Sequence, residues 1–306
     1  MTMPTLHDVH VERPLTNISI AYRNGEYIFD QVFPVVSVQK KSDVYWTFGK
    51  SSWFRNEVQL RAPGAEAQEG DYEITTASYN CLTRAIAKTI PDEVRENADA
   101  PLAPDAEATA WVTDQLLRAQ ERRVAAITTG GSGLWAYSAS PTVQWTSDTS
   151  NPLADIEGAI NGVVSSIGRM PTVAVMSWDA WRYLKHHPDV LDRIKYTRPG
   201  SQMVPGDLTD WFGFNKVLVG MSLYDPAKEG TSSSTSYIWG DGFWCGYVPG
   251  GPALMTPAAG YSLEWMSREV RRYRLDTRHS DKIEAQHSTA EVITASDAGA
   301  VLFNVV

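Results

Sequence analysis

The chain has 306 residues, 43% of them hydrophobic and 21% charged, with a net charge of −9, two cysteines and eleven tryptophans. That balance belongs to a globular protein of one large or two medium domains. It excludes a fibrous or disordered chain, argues against a dedicated polyphosphate reader, and leaves too few thiols for a zinc cage or a disulfide framework.

Met1 to Arg13 is polar and punctuated by proline, an arm that has to lie on something else. It has no apolar core after a basic start, and no later stretch approaches the ~18 apolar residues of a membrane span, so neither secretion by that route nor membrane insertion is expected. From Tyr27 to Val38 an apolar run is cut by Pro34, and Lys40 to Asp43 mark a turn. Val44, Tyr45, Trp46, Thr47 and Phe48 read as a strand, Gly49 to Ser52 as a breaker, and Trp53, Phe54 and Arg55 as the start of a second extended piece. Arg61 to Asp71 is a small, polar loop with Pro63 and Gly64 suited to a reversal, and Tyr72 to Leu82 returns as an alternating strand. Lys41 to Asn80 is therefore a long hairpin-like excursion, and such a ribbon is marginal in water without a neighbour to dock on.

After Pro91 the pattern turns helical. Val112, Leu116, Leu117, Val124 and Ile127 recur at three-, four- and seven-residue steps, predicting a helix of about six turns over Ala106 to Thr129, with Asp105 as N-cap and Gly130 and Gly131 as its stop. Gly131 to Pro152 reads as an irregular linker. Beyond it come a helix from Asp155 to Ile167 ending at Gly168, a buried strand Pro171 to Ser177, a helix Trp178 to His186, and another starting at Pro188. A strand Lys216 to Gly220 and two strands within Tyr237 to Val248, joined at Gly240 to Gly242, complete a small α/β layer. From Tyr261 onward polar alternation predicts successive antiparallel strands with one wet face.

Catalytic patterns fall short. The Gly130 to Gly133 cluster lacks the lysine of a phosphate loop and the second glycine of a nucleophile elbow. His186 and His187 diverge by about 100° on a helix and do not form a metal pair, and His279 and His287 lack a ligand pattern. No cofactor or metal is expected. The strongest charge concentration is Arg268, Arg271, Arg272, Arg274 and Arg278, with Arg268, Arg272 and Arg274 on one strand face and Glu269, Arg271 and Tyr273 on the other. It is either a solvated face or a row of guanidinium groups for carboxylates of another subunit or for phosphates, and the acidic chain favours protein partners.

The order of these parts, with the stretches LTNISIAYRNGEYIFDQVFPVVSVQKKSDVYW, FRNEVQLRAPGAEA, PTVAVMSWDAWRYLKHHPDVLDRIKY, KVLVGMSLYD and YIWGD, resembles the major capsid proteins of tailed bacteriophages, the HK97-like fold. The resemblance implies an α+β chain in four parts: an N-terminal arm at 1–40, an extended β-hairpin loop at 41–80, a peripheral domain at 81–152 and 249–306, and an α/β axial domain at 153–248. The peripheral domain would hold a spine helix at about 106–129 and a C-terminal sheet at 261–306.

It also implies a structural protein, not an enzyme, that builds hexamers and pentamers of an icosahedral head shell around double-stranded DNA. Such a chain works in the virion after assembly in the bacterial cytoplasm. Tyr45, Trp46, Phe48, Trp53, Phe54 and Arg55 become contacts on an adjacent copy, and the five arginines an inter-subunit charge cluster. A portal protein, a separate scaffolding protein, an optional decoration protein and non-specifically held DNA are the further partners. Lys40, Lys41 and Lys50 lie near the loop where some relatives form a Lys–Asn isopeptide bond, but no partner Asn or catalytic Glu is identified. Two other readings compete: an encapsulin-like nanocompartment shell, and a soluble α/β enzyme with its site near the Gly130 to Gly133 turn.

Overall fold

The computed structural model describes residues 25–48, 50–98, 102–130, 133–195, 203–228, 230–252 and 255–306, without the side chains of residues 52 and 53. The expected arm from Met1 to Arg13 lies outside the described residues. Pro34, with no N–H to continue a helix, divides the first apolar run into a single turn α1 (Phe29–Val32) and a short strand β1 (Val35–Ser37). The ribbon follows as β2 (Ser42–Phe48) and β3 (Ile74–Asn80), antiparallel from Ser42↔Asn80 to Phe48↔Ile74.

Between them the structure corrects the sequence reading. Trp53 and Phe54 do not begin an extended piece but sit in a helical turn α2 (Lys50–Phe54), closed by Arg55 N–H donating to Ser51 O at 3.2 Å. Lys-Ser-Ser-Trp-Phe has no β-branched residue to favour a strand. A second difference follows at Cys81, where the chain continues into β4 (Leu82–Pro91), a full strand that local pattern did not separate from its predecessor.

Pro91 ends that strand and α3 (Asp92–Glu96) begins, followed by the long helix α4 (Pro104–Thr128). Its N-cap is Ala103, not Asp105, because Pro104 occupies the first helical position. Asp105 lies instead in the first turn, where the helix dipole favours a carboxylate. The expected linker contains β5 (Tyr137–Ala139), and then come α5 (Pro152–Ile167), β6 (Val173–Ser177), α6 (Trp178–Leu184), α7 (Pro188–Ile194) and α8 (Pro205–Phe212). Asn151 caps α5 by accepting from Ala154 N–H at 3.1 Å, and Gly168 ends it at φ 67°, a conformation that favours glycine. The remaining elements are β7 (Lys216–Gly220), β8 (Leu223–Tyr224), β9 (Ser236–Tyr237), β10 (Phe243–Gly246), β11 (Gly260–Leu275), β12 (Ser280–Ile293) and β13 (Gly299–Leu302).

Two larger sheets result. One runs β1-β11-β12-β4, with β1 parallel to β11 and the others antiparallel; the second runs β5-β13-β10-β6-β7. The first is dominated by the β11–β12 hairpin, on the order of 50 Å long at 3.3 Å per residue. It turns through Asp276–Arg278, with His279 at φ 41°. Helix α4 lies on this sheet, burying Ala108, Val112 and Leu116 against Ile90, Ile283 and Ala285. The second sheet is the centre of the main core: all five residues of β6 and all four of β10 and β13 are buried.

Two strand assignments are corrected by this topology. Tyr237 to Val248 is not a hairpin, since β9 pairs with β8 while β10 lies between β6 and β13. Tyr261 to Val306 does not form one sheet either. After β12 the chain crosses over, and β13 inserts between β5 and β10, because Gly299 to Leu302 is too apolar for a wet face.

Candidate assembly surface

The period of a strand sorts the ribbon's side chains onto two faces. Val44, Trp46 and Phe48 share one face with Ile74, Thr76 and Ser78, while Asp43, Tyr45 and Thr47 share the other with Thr75, Ala77 and Tyr79. The first face is largely in water: Trp46 is 70% exposed and Val44 58%, while Phe48 is half-buried and meets Tyr72 ring to ring at 6.3 Å. The second is half-buried, with Tyr45 desolvated enough to push its hydroxyl pKa up and Thr47 hydrogen-bonded to Thr75 at 2.6 Å.

Beyond the ribbon strands Phe54, Val58 and Leu60 are exposed as well, Leu60 fully. Arg55 spends its charge locally on Glu57 at 2.8 Å, and the side chain of Trp53 lies outside the described residues. A surface ion pair, Lys50 to Asp297 at 3.3 Å, ties the ribbon's far end to the body. Such a pair contributes about 0–1 kcal/mol. In the core the chain covers its aromatics, with Trp135, Trp145, Trp239 and Trp244 at most 3% exposed, whereas Trp111 and Trp265 on the body are partly exposed. Each large apolar side chain left in water forgoes about 1.5–3 kcal/mol of burial. The ribbon face is thus a surface that the described parts of its own chain leave uncovered.

The arginine cluster divides. Arg272 and Arg274 do not stand free for another subunit, contrary to the expected row of guanidinium groups. Arg272 binds Asp281, donating from Nε at 3.1 Å, and approaches Asp105 at 3.4 Å. Arg274 holds Asp92 and reaches Asp281 at 3.5 Å, and Arg95 adds contacts of 2.9 Å to both Asp105 and Asp281. The network clamps α3, the start of α4 and the outer end of the long hairpin together. The guanidinium groups hold the carboxyls of Asp92 and Asp281 below their ordinary range. Arg271 pairs with Glu269 at 2.8 Å on the opposite, exposed face, and Arg268 and Arg278 are exposed with no ion pair among the described residues. The acidic partners were not found from sequence because each is a lone aspartate far along the chain; only Arg272 and Arg274, two apart on one strand, hinted at a shared anion.

A separate ion pair, largely buried on its carboxylate side, fixes α4 to β12. Arg123 meets Glu291 through Nε and a terminal nitrogen, both at 2.9 Å, and the pairing draws the Glu291 carboxyl down against its burial.

Chemistry at the histidines is structural. His187 Nε2 lies 3.1 Å from Ser150 Oγ, with Asp189 beyond, which superficially resembles a nucleophile and its base. Yet Nδ1 accepts the backbone N–H of Asp189, so the ring proton sits on Nε2, and Ser150 donates its own proton to Ser147 O at 2.8 Å. The imidazole donates where a general base has to accept. His287, buried, meets Glu264 at 2.8 Å, and burial pushes its pKa down. Near Gly130 there is a recess of about 470 Å³ lined by Arg122, Thr129, Tyr224, Asp241 and Asn304, but Arg122 is laid over the Tyr224 ring and Thr129 donates to main-chain oxygens. Among the described residues it presents no nucleophile paired with a base.

No protein-family model matches the chain. Among curated proteins, the major capsid protein of Burkholderia phage BcepMu is 28% identical over 306 residues, 94% of each chain, and that of Pseudomonas phage JBD67 is 24% identical over 97% of each. Among solved structures, a phage-related protein from Bordetella bronchiseptica RB50 is similar with a TM-score of 0.70 and 24% identity over 93% of both chains. The capsid of cyanophage P-SCSP1u gives 0.63 at 11% identity, covering 98% of this chain and 94% of that one. The chain has the HK97-like fold of phage capsid proteins, and over nearly its whole length it is similar in sequence to phage major capsid proteins.

Proposed function

We propose that this chain is the structural subunit of a phage head, assembling through its ribbon into hexamers and pentamers that enclose double-stranded DNA. The observation that carries the reading is the apolar face of Val44, Trp46 and Ile74, which the rest of the described chain leaves in water. An adjacent copy laid against it supplies the missing cover, and repetition of one such heterologous contact closes a shell. Residues 41–80 then act as the extended loop and α4 as the spine helix. The β1-β11-β12-β4 sheet serves as the peripheral domain, and the β5-β13-β10-β6-β7 sheet with its helices as the axial domain. Arg268 and Arg278 remain available at the neighbour's contact, whereas Arg271 is paired with Glu269 and Arg272 and Arg274 are spent within the subunit.

The hairpin's wet face alternates in sign, with Glu269 beside Arg271 and Lys282 beside Glu284. A mixed strip of this kind has no run of cations to bind phosphates tightly, which suits non-specific enclosure of DNA. A portal, a separate scaffolding protein and a decoration protein are partners of the assembled head in this reading, and the subunit's own work is structural.

Native mass measurement and negative-stain microscopy of the full chain test it. Capsomers or closed particles are expected, and DNA beside a portal in particles from infected cells. A subunit that stays monomeric at every concentration and salt overturns the proposal, and particles holding cargo enzymes without a genome move it to a nanocompartment.

A further inference from the structure

We propose that Glu121 is a proton-linked latch that fixes the segment entering at Gly25 against α4. Its carboxylate, in the middle of that helix, is fully buried. It accepts the backbone N–H groups of Ile28 at 3.1 Å and Phe29 at 2.9 Å, the indole N–H of Trp239 at 2.6 Å and the hydroxyl of Ser222 at 3.2 Å. The donors come from three segments, which also meet in the apolar core shared by Ile28, Phe29, Val124 and Trp239. α1 is thereby held to the long helix, and both are held to the turns flanking β8 and β9.

Among the described residues no cation offsets the charge. On α4 itself Arg118 is engaged by Asp114, Arg122 lies over Tyr224 at 4.3 Å, and Arg123 faces Glu291. From α1 Asp30 points to solvent, and from β7 Lys216 reaches Gln31 at 3.5 Å. Asp241, following Trp239, lines the recess near Gly130. Among the described residues none of these groups forms an ion pair with Glu121. Burial consequently pushes the carboxyl up, and the four donors only partly draw it back.

Opening the latch returns the carboxyl to water and to its ordinary value of 4.5. The closed form holds the proton more tightly, so closure is fully favoured below that value and weakens as pH rises through the raised one. The closed site tolerates the proton because a neutral carboxyl still accepts at its carbonyl oxygen and the Ser222 hydroxyl can turn from donor to acceptor. The latch follows from the fold and does not depend on the shell reading.

Amide hydrogen exchange of the full-chain subunit between pH 4.5 and 8, corrected for intrinsic rates, tests it. Protection at Ile28 and Phe29 is expected to fall with rising pH by up to about tenfold per unit within the window, while β11 and β12 amides hold steady. E121Q, which has no proton to lose, is expected to be flat. S222A removes one donor to the charged form and moves the upper end of the window to higher pH. Flat protection in the wild type, an unchanged pH dependence in E121Q, or an unmoved window in S222A overturns the proposal; if E121Q does not fold, the wild-type and S222A curves decide.

Discussion

Arg274 grips Asp92 through both terminal nitrogens at 2.5 Å, joining positions 182 residues apart at the outer end of the long hairpin. The first cause of the lowered Asp92 carboxyl is this guanidinium, and that of Asp281 is Arg272. Carboxylates held down in the folded state stabilise it above their unfolded value of 3.8 and lose that contribution as pH falls through the depressed one. R274A is expected to lower the melting temperature by a few degrees at pH 7. The gap from wild type should narrow once the pH drops below 3.8. Melting curves at both ends of the range check this, and a gap of constant size would refute the electrostatic account.

Trp46 and Trp244 are predicted to respond in opposite ways. Trp46→Ala removes an exposed ring, so the subunit should keep its melting temperature within the equivalent of about 0.5 kcal/mol yet fail to assemble. Trp244→Ala opens a hole beside Phe33 and Trp135, where the ring is fully buried, and should cost about 3–5 kcal/mol and most of the soluble yield. Paired thermal melts and particle counts separate the two. Equal destabilisation would place Trp46 in the subunit's own core.

At Gly220 the end of β7 runs directly under the Trp239 ring. A Cβ there would sit 2.1 Å from a ring carbon, and neither that buried ring nor the strand has room to give. Gly220→Ala should destabilise by about 1–3 kcal/mol, read as a lower denaturant midpoint with an unchanged slope. Gly168→Ala meets nothing within 4 Å, so its cost comes from the positive φ alone.

What could be read from the sequence followed local signal. The uninterrupted apolar run of β6, the periodic stripe of α4, Gly168 closing α5, and the ribbon between Ser42 and Asn80 all announce themselves within a few residues. β4 does not, since Leu82 to Pro91 becomes a strand by pairing with β12 far along the chain. Glu121 was missed for another reason. In AQERR it looks like one more solvated charge, and the one clue is its place four residues after Leu117 and three before Val124, on the apolar stripe. The ribbon's apolar residues were legible, but which of them turn outward was not, because Tyr45 and Trp46 differ only in the parity that the register with β3 sets.

β13 is made after every strand it joins, yet it lies inside the sheet between β5 and β10. Until residue 302 leaves the ribosome the α/β layer has a gap where Ala300, Val301 and Leu302 belong. Nascent chains, and any product of early termination, therefore lack the finished body onto which a sister molecule would dock. Under the proposed shell reading, a chain cut short before that strand is expected to leave the layer open between β5 and β10 and so to fold as an incomplete subunit.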